Sequence, residues 1–207
     1  MESHTRIVRV PSCSNEEFFS RYAAPGRVGL VGGASLIDRG IRRAERLLVT
    51  QRRKSKWSHA FLYEGTREDG KHWILECDLD VLRNGVQENR AAKYGDEKHY
   101  PNVASIDFGL SPEQTDAVLA KGLDLLAAGT RYSIREAIGT YIAIRRKKAA
   151  HRNPYEREGT LYCSSFVQVL YLVAGIDFAL DVHTKNTLPE HIARTPVPHT
   201  TYLLDRG

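Results

Sequence analysis

Two strand-like runs on either side of a turn constrain this chain more than any other feature. Residues 57–63 (WSHAFLY) run up to Gly65, and residues 72–77 (HWILEC) repeat the apolar and aromatic pattern after Asp69-Gly70. Such side chains suit a pleated, half-buried strand, and Asp-Gly favours the tight turn that joins two of them. An antiparallel hairpin with its loop near 65–70 is expected. Symmetric pairing about that loop makes facing residue numbers sum to 135 and sets His59 opposite Glu76. Directly opposed side chains have Cβ atoms about 5 Å apart on one face, near enough for a carboxylate to hold an imidazole. Asp78, on the same face by alternation, competes with Glu76 for that role.

A hairpin this apolar needs covering, and the rest of the chain supplies helices. Residues 27–31 are an expected strand ended by Gly32-Gly33, and 103–108 another. Over 35–48, Leu36, Ile37, Ile41, Ala44, Leu47 and Leu48 recur at helical spacing with arginines between them. Ser111-Pro112-Glu113-Gln114 combines an N-cap serine, a proline at the first helical position and a capping-box glutamine. That helix is expected to reach Ala128 and stop at Gly129. Ile134, Ile138, Tyr141, Ile142 and Arg145 mark a further helix. Another opens near Cys163, carries Phe166, Val167, Leu170 and Val173, and ends at Gly175, and a short one follows Thr187-Leu188-Pro189. Residues 1–25 read as an irregular lead-in, broken by Pro11, Ser12, Ser14 and Pro25, with one short helix over 16–22. No repeat or linker divides the chain, so 1–207 is read as a single α+β domain with an antiparallel sheet packed against helices.

Composition removes several classes. The chain has 207 residues, 42% of them hydrophobic, enough for a real core. Cys13, Cys77 and Cys163 include no C-x-x-C pair, which excludes a disulfide scaffold and points to a reduced compartment. The eight histidines stand in no zinc-binding spacing, so no metal or other cofactor is expected. The first 30 residues carry Glu2, Arg6, Arg9, Glu16, Glu17 and Arg21 and no apolar h-region, and no stretch reaches 18 uncharged apolar residues. Neither a secretory signal peptide nor a transmembrane helix is expected. The protein is read as cytoplasmic when made, with any export by a non-classical secretion system.

The formal charge is +5, much of it in two clusters: Arg39, Arg42, Arg43, Arg46, Arg52, Arg53, Lys54 and Lys56, then Arg145, Arg146, Lys147 and Lys148. Either cluster suits a solvated helix face or contact with an anionic surface such as lipid or cell-wall polymer. No aromatic interleaving or nucleic-acid motif accompanies them, so no specific nucleic-acid partner is expected.

Cys163 is the candidate nucleophile. Polar residues and then an apolar helical stripe place it at the first turn of a helix, where the partial positive charge of the helix end favours a thiolate. A cysteine nucleophile needs a base, and the base needs a third group to fix its tautomer. His59 with Glu76 across the hairpin offers both.

Ser58-His59-Ala60-Phe61-Leu62-Tyr63, Ile74-Leu75-Glu76, Gly85-Val86 and Tyr162-Cys163-Ser164-Ser165-Phe166-Val167 together resemble the YiiX/YebB-like group. These are permuted members of the NlpC superfamily of papain-like cysteine hydrolases, in which the histidine strand precedes the cysteine helix, as it does here. The resemblance runs from about Gly26 to Pro196. It implies a circularly permuted papain-like fold with Cys163, His59 and Glu76 catalytic. Gly129-Thr130-Arg131-Tyr132 resembles the superfamily's G-x-x-Tyr element, which implies that Tyr132 serves the oxyanion with the backbone at Cys163; Ser164 joins that oxyanion and substrate-binding set. One departure is Ser165, where family members often carry Glu.

The resemblance implies amide cleavage through a thioacyl-enzyme, foremost by a cell-wall (peptidoglycan) peptidase or amidase. A small basic hydrolase of this kind suits a secreted antibacterial effector, or toxin, with an immunity protein in its producer. The permuted branch also includes relatives of lecithin:retinol acyltransferase, which makes a lipid acyl hydrolase or acyltransferase the second expectation. A non-catalytic binding module is the third.

Overall fold

The expected hairpin forms, and it sits inside a seven-stranded sheet. A computed structural model describes residues 5–33, 56–79, 84–133, 139–140, 148, 150–152 and 158–206. The helix expected over 35–48, most of the one marked by Ile134 to Arg145, and all of both basic clusters except Lys56 and Lys148 lie outside the described residues.

The sheet contains β1 (Arg6–Arg9), β2 (Val28–Gly32), β3 (His59–Thr66), β4 (His72–Leu79), β5 (Asn84–Arg90), β6 (Asn102–Asp107) and β9 (Thr200–Asp205). Their order across it is β1-β9-β6-β2-β3-β4-β5, antiparallel at every pairing except β1 with β9. A separate parallel pair joins β7 (Arg131–Tyr132) to β8 (Thr160–Leu161).

Strict alternation along β3 and β4 builds two cores, one on each face of the sheet. Ala60, Leu62, Leu75 and Cys77 belong to one. It is covered by α2 (Pro112–Ala127) through Val118, by α3 (Cys163–Leu172) through Phe166, Val167 and Leu170, and by α4 (Pro189–Ala193) through Ile192. Phe61, Tyr63 and Ile74 belong to the other, beneath α1 (Asn15–Tyr22) and the 3-10 turn Ala91–Tyr94. The Phe61 ring fits across β2 because Gly29 lacks a side chain: a Cβ there would lie 2.1 Å from the ring. No helix among the described residues is long and apolar enough to cross a membrane.

The strongest local signals hold. Ser111 and Gln114 close the capping box of α2, Pro112 opens it, and Gly129 follows its end at φ 65°. Other expectations need correction. Over the described residues 5–25 the chain is not an irregular lead-in: Arg6–Arg9 is an edge strand, and Ser14 caps α1 rather than breaking a pattern. That strand exists because Arg6 N–H donates to the His199 carbonyl and Val10 N–H to the Leu203 carbonyl, partners nearly the whole chain away. β5 is polar (NGVQENR), as an outermost strand can be, and so carried no apolar run to announce it.

The hairpin register also differs. Leu62 faces Leu75 and Tyr63 faces Ile74, so facing numbers sum to 137, and a bulge between Tyr63 and Gly65 then shifts the pairing. His59 is therefore not directly opposite Glu76. Beside the loop Gly65 faces Trp73 and Thr66 faces His72, a sum of 138, so the turn is centred later in the chain than symmetric pairing about 65–70 assumes, and the bulge brings the sum to 137. A two-residue offset keeps every side chain on its face, because the strand period is two.

Candidate active site

Cys163 is the first residue of α3, and the local sequence builds it a rigid mount. Ser165 Oγ accepts the Tyr162 N–H and donates to the Tyr162 carbonyl, both at 3.0 Å, closing the turn around the cysteine. Ser165, which stands where the resembled group often carries Glu, thus braces the turn around Cys163. Tyr162 Oη and Ser164 Oγ both donate to the Thr187 carbonyl, at 2.8 and 2.7 Å, tying the helix start to the segment leading into α4. Phe166, Val167, Leu170 and Tyr171 are buried behind it. The first N–H groups of any α-helix have no partner within the helix, and Cys163 stands at that end.

His59 opens β3, and Nε2 lies 2.8 Å from Glu76 Oε2. Glu76 is wholly buried and the imidazole is 12% exposed. Glu76 accepts from three further groups: Asn89 Nδ2 at 2.7 Å and Lys93 Nζ at 2.8 Å on Oε1, and the Tyr94 hydroxyl on Oε2. Burial pushes its pKa upward, but the His59 hydrogen bond and charge, together with Lys93, bring it down to about 2. An ionised Glu76 accepts from Nε2–H and leaves Nδ1 as the ring nitrogen for Cys163. For His59, burial opposes the charged ring; Cys163, Glu76 and Asp78 outweigh it and hold the pKa well above the usual histidine value. Burial also opposes the Lys93 ammonium, yet Glu76 and Asp78 raise its pKa.

Lys93 and Tyr94 reach Glu76 because the Ala91–Tyr94 turn is pinned from outside. Asn15, the first residue of α1, donates through Nδ2 to the carbonyls of Tyr94 and Tyr100, at 2.8 and 3.0 Å. The Tyr94 ring stacks on Phe61 with centroids 5.1 Å apart and lies 5.8 Å from the His59 ring. Asn89, Lys93 and Tyr94 escaped the sequence reading. Their only signal was a polar strand followed by a lone tyrosine, and nothing local joins these to Glu76. Asp78 acts on His59 through its charge; Lys93 bridges it to Glu76, with Nζ 2.8 Å from Oδ2.

Tyr132 lies on β7, paired with Leu161 just before the Cys163 helix. Burial, then the charges of Cys163, Asp78 and Cys77, raise its hydroxyl pKa, so it stays a protonated donor near the thiol. Its N–H donates to Asn84 Oδ1 at 2.9 Å. Gly85 makes this approach feasible: its φ is 127°, and a Cβ there would fall 2.1 Å from the Thr130 oxygen. Val86 N–H donates to that same carbonyl at 2.9 Å. Ser164 is also at the site, but its hydroxyl is wholly buried and committed to Thr187, so only its backbone remains to meet a substrate.

No protein-family model matches the sequence, and no curated protein matches it. Among solved structures, the metalloprotein yiiX of Escherichia coli O157:H7 is similar, with a TM-score of 0.51 at 15% identity over 88% of this chain and 89% of that one. The likeness is one of fold. It covers most of both chains, so the mixed α+β arrangement with its large, mostly antiparallel sheet is shared at the level of architecture.

Among the described residues, His59, Glu76 and Asp78 form a group that could hold a metal ion, with one ligand atom from each all within 4.8 Å of one another. As arranged, however, both carboxylates are already bridged by the Lys93 ammonium, and each Glu76 oxygen already accepts two donors.

Proposed function

We propose that this chain is a cysteine hydrolase with a circularly permuted papain-like fold, cleaving an amide bond of a cell-wall peptide through a thioacyl-enzyme. The reading rests on one observation: a buried His59–Glu76 pair beside a cysteine at the start of a helix.

The chemistry follows from the groups present. The Cys163 thiolate Sγ forms a bond to the amide carbon, and the carbonyl π pair moves onto oxygen. The helix-start N–H groups and the Tyr132 hydroxyl donate to that oxyanion, an interaction that strengthens as charge develops. The His59 imidazolium gives its Nδ1 proton to the departing nitrogen, the C–N bond breaks, and an amine leaves. Neutral His59 then takes a proton from water, whose oxygen attacks the thioester carbon. The C–S bond breaks, a carboxylic acid leaves, and the thiolate–imidazolium pair is restored. Glu76 holds Nε2–H throughout and stabilises the charged ring.

A peptide suits the surface better than an acyl chain. A groove of about 730 Å³ runs along β5, lined by polar groups that include Arg67, Asn84, Glu88 and Asn89. β5 is the outer strand of the sheet among the described residues, and an edge strand offers backbone donors and acceptors to an extended chain. Asn84 joins this groove to Tyr132.

The similar protein is called a metalloprotein. The acidic group beside His59 does not fit a metal ion as it stands, because Lys93 Nζ already bridges its two carboxylates, and no step here uses one.

The deciding experiment compares the wild type with Cys163→Ala on purified peptidoglycan and on mixed phospholipid vesicles, with products identified by mass spectrometry. Cysteine-dependent release of stem-peptide fragments is expected. Cysteine-dependent fatty-acid release would keep the thiol chemistry and overturn the substrate, and equal activity of the two proteins would overturn the mechanism.

A further inference from the structure

We propose that Lys93 is the resident cation of the His59–Glu76–Asp78 cluster, and that removing its charge converts the cluster into a divalent-metal site. The argument is geometric. One nitrogen and two carboxylate oxygens lie within 4.8 Å of one another, a donor set that suits zinc. Lys93 Nζ stands 2.8 Å from both Glu76 Oε1 and Asp78 Oδ2, between the two carboxylates. Two carboxylates this close repel unless a positive charge intervenes, and here a side chain supplies it.

The ammonium is held there by the fold rather than by its own flexible stem. It projects from the Ala91–Tyr94 turn directly after β5. Asn15 clamps that turn through the Tyr94 carbonyl, and the Tyr94 ring is stacked on Phe61. The Lys93 side chain is 26% exposed while Glu76 is wholly buried. A charge-neutral side chain at position 93 would remove the ammonium that bridges the two carboxylates while His59, Asn89 and Tyr94 still hold Glu76 in place. The inference concerns the cluster alone and does not depend on the hydrolytic reading.

The test uses zinc itself. Wild type, Lys93→Met, Lys93→Gln, Lys93→Arg, Asp78→Asn and the double variant Lys93→Met/Asp78→Asn are titrated with Zn²⁺ by calorimetry, and bound metal is counted after dialysis. Lys93→Met and Lys93→Gln are expected to retain about one zinc per chain, at least tenfold tighter than wild type, and to unfold at a higher temperature with zinc present. Lys93→Arg keeps the charge and is expected to behave as wild type, and Asp78→Asn is expected to abolish the gained site. Two results would overturn the proposal: folded Lys93→Met or Lys93→Gln with no gain over wild type, or a stoichiometric zinc on wild type that Asp78→Asn removes. The wild-type and Asp78→Asn arm decides even where both lysine variants lose cooperative unfolding.

Discussion

His59 Nε2 and Glu76 Oε2 lie 2.8 Å apart although the two residues are not direct partners across the hairpin. Carried on from Leu62 and Leu75, the register sets Glu76 across from Phe61, so the contact with His59 is diagonal. A diagonal neighbour lies about 7–8 Å away at the backbone, a distance that a glutamate and an imidazole span together. Glu76→Gln removes the charge and retains the shape. Turnover of a cysteine-dependent substrate is expected to fall about 100-fold or more, as loss of an oriented, stabilised general base requires. Rates within twofold of wild type would exclude Glu76 as the orienting group.

The pH dependence of stability follows from the same residue. Glu76 is held down to about 2, below the ordinary glutamate value, so the native state gains stability above the unfolded pKa of about 4.5. That gain is lost as pH falls through about 2. The melting temperature of the wild type should therefore drop steeply between these values. Glu76→Gln should melt lower near pH 6 and show a flatter slope in the acid window; parallel curves for the two proteins would rule this out.

His59 carries the opposite sign. Its pKa is raised because Cys163, Glu76 and Asp78 outweigh burial, so its contribution is complete below the unfolded histidine value and lost as pH rises through the raised one. In Cys163→Ala that neighbour is gone, and the His59 pKa read from its ring-proton NMR shifts should move downward. An unchanged titration would mean that the thiol and the imidazole do not interact.

Ser164 and Tyr132 can be told apart by what they disturb. Ser164→Ala removes the donor to the Thr187 carbonyl and is expected to cost about 1–2 kcal/mol of stability with kcat nearly unchanged. Tyr132→Phe should leave stability nearly unchanged and lower kcat by about 100-fold if the hydroxyl meets the oxyanion. Thermal unfolding and steady-state kinetics on both variants check the pair of outcomes, and a reversed pattern would exchange the two roles.

Gly85→Ala tests the joint between β5 and β7. The new Cβ would fall 2.1 Å from the Thr130 oxygen on a backbone at φ 127°. One of the two segments must move, which is expected to destabilise the protein by roughly 2–4 kcal/mol. Chemical denaturation measures it, and a change below 0.5 kcal/mol would show that the joint yields freely.

The sequence by itself determined the elements whose signals are local. Ser111, Pro112 and Gln114 specify where α2 begins, because a cap is a contact among neighbours in the chain. The alternation through β3 and β4 specified the shared face of His59, Glu76 and Asp78, since a strand's period survives an even offset in register. Only the tertiary structure decided which residues complete the site. A turn centred later in the chain, together with the bulge after Tyr63, made the His59–Glu76 contact diagonal rather than direct. Arg6–Arg9 became a strand because β9 lay beside it. Asn15 placed Lys93 and Tyr94 against Glu76 across more than 75 residues of chain. Each of these depends on a partner distant in sequence, and a hydrogen bond or ion pair between such partners leaves no periodic trace in either segment.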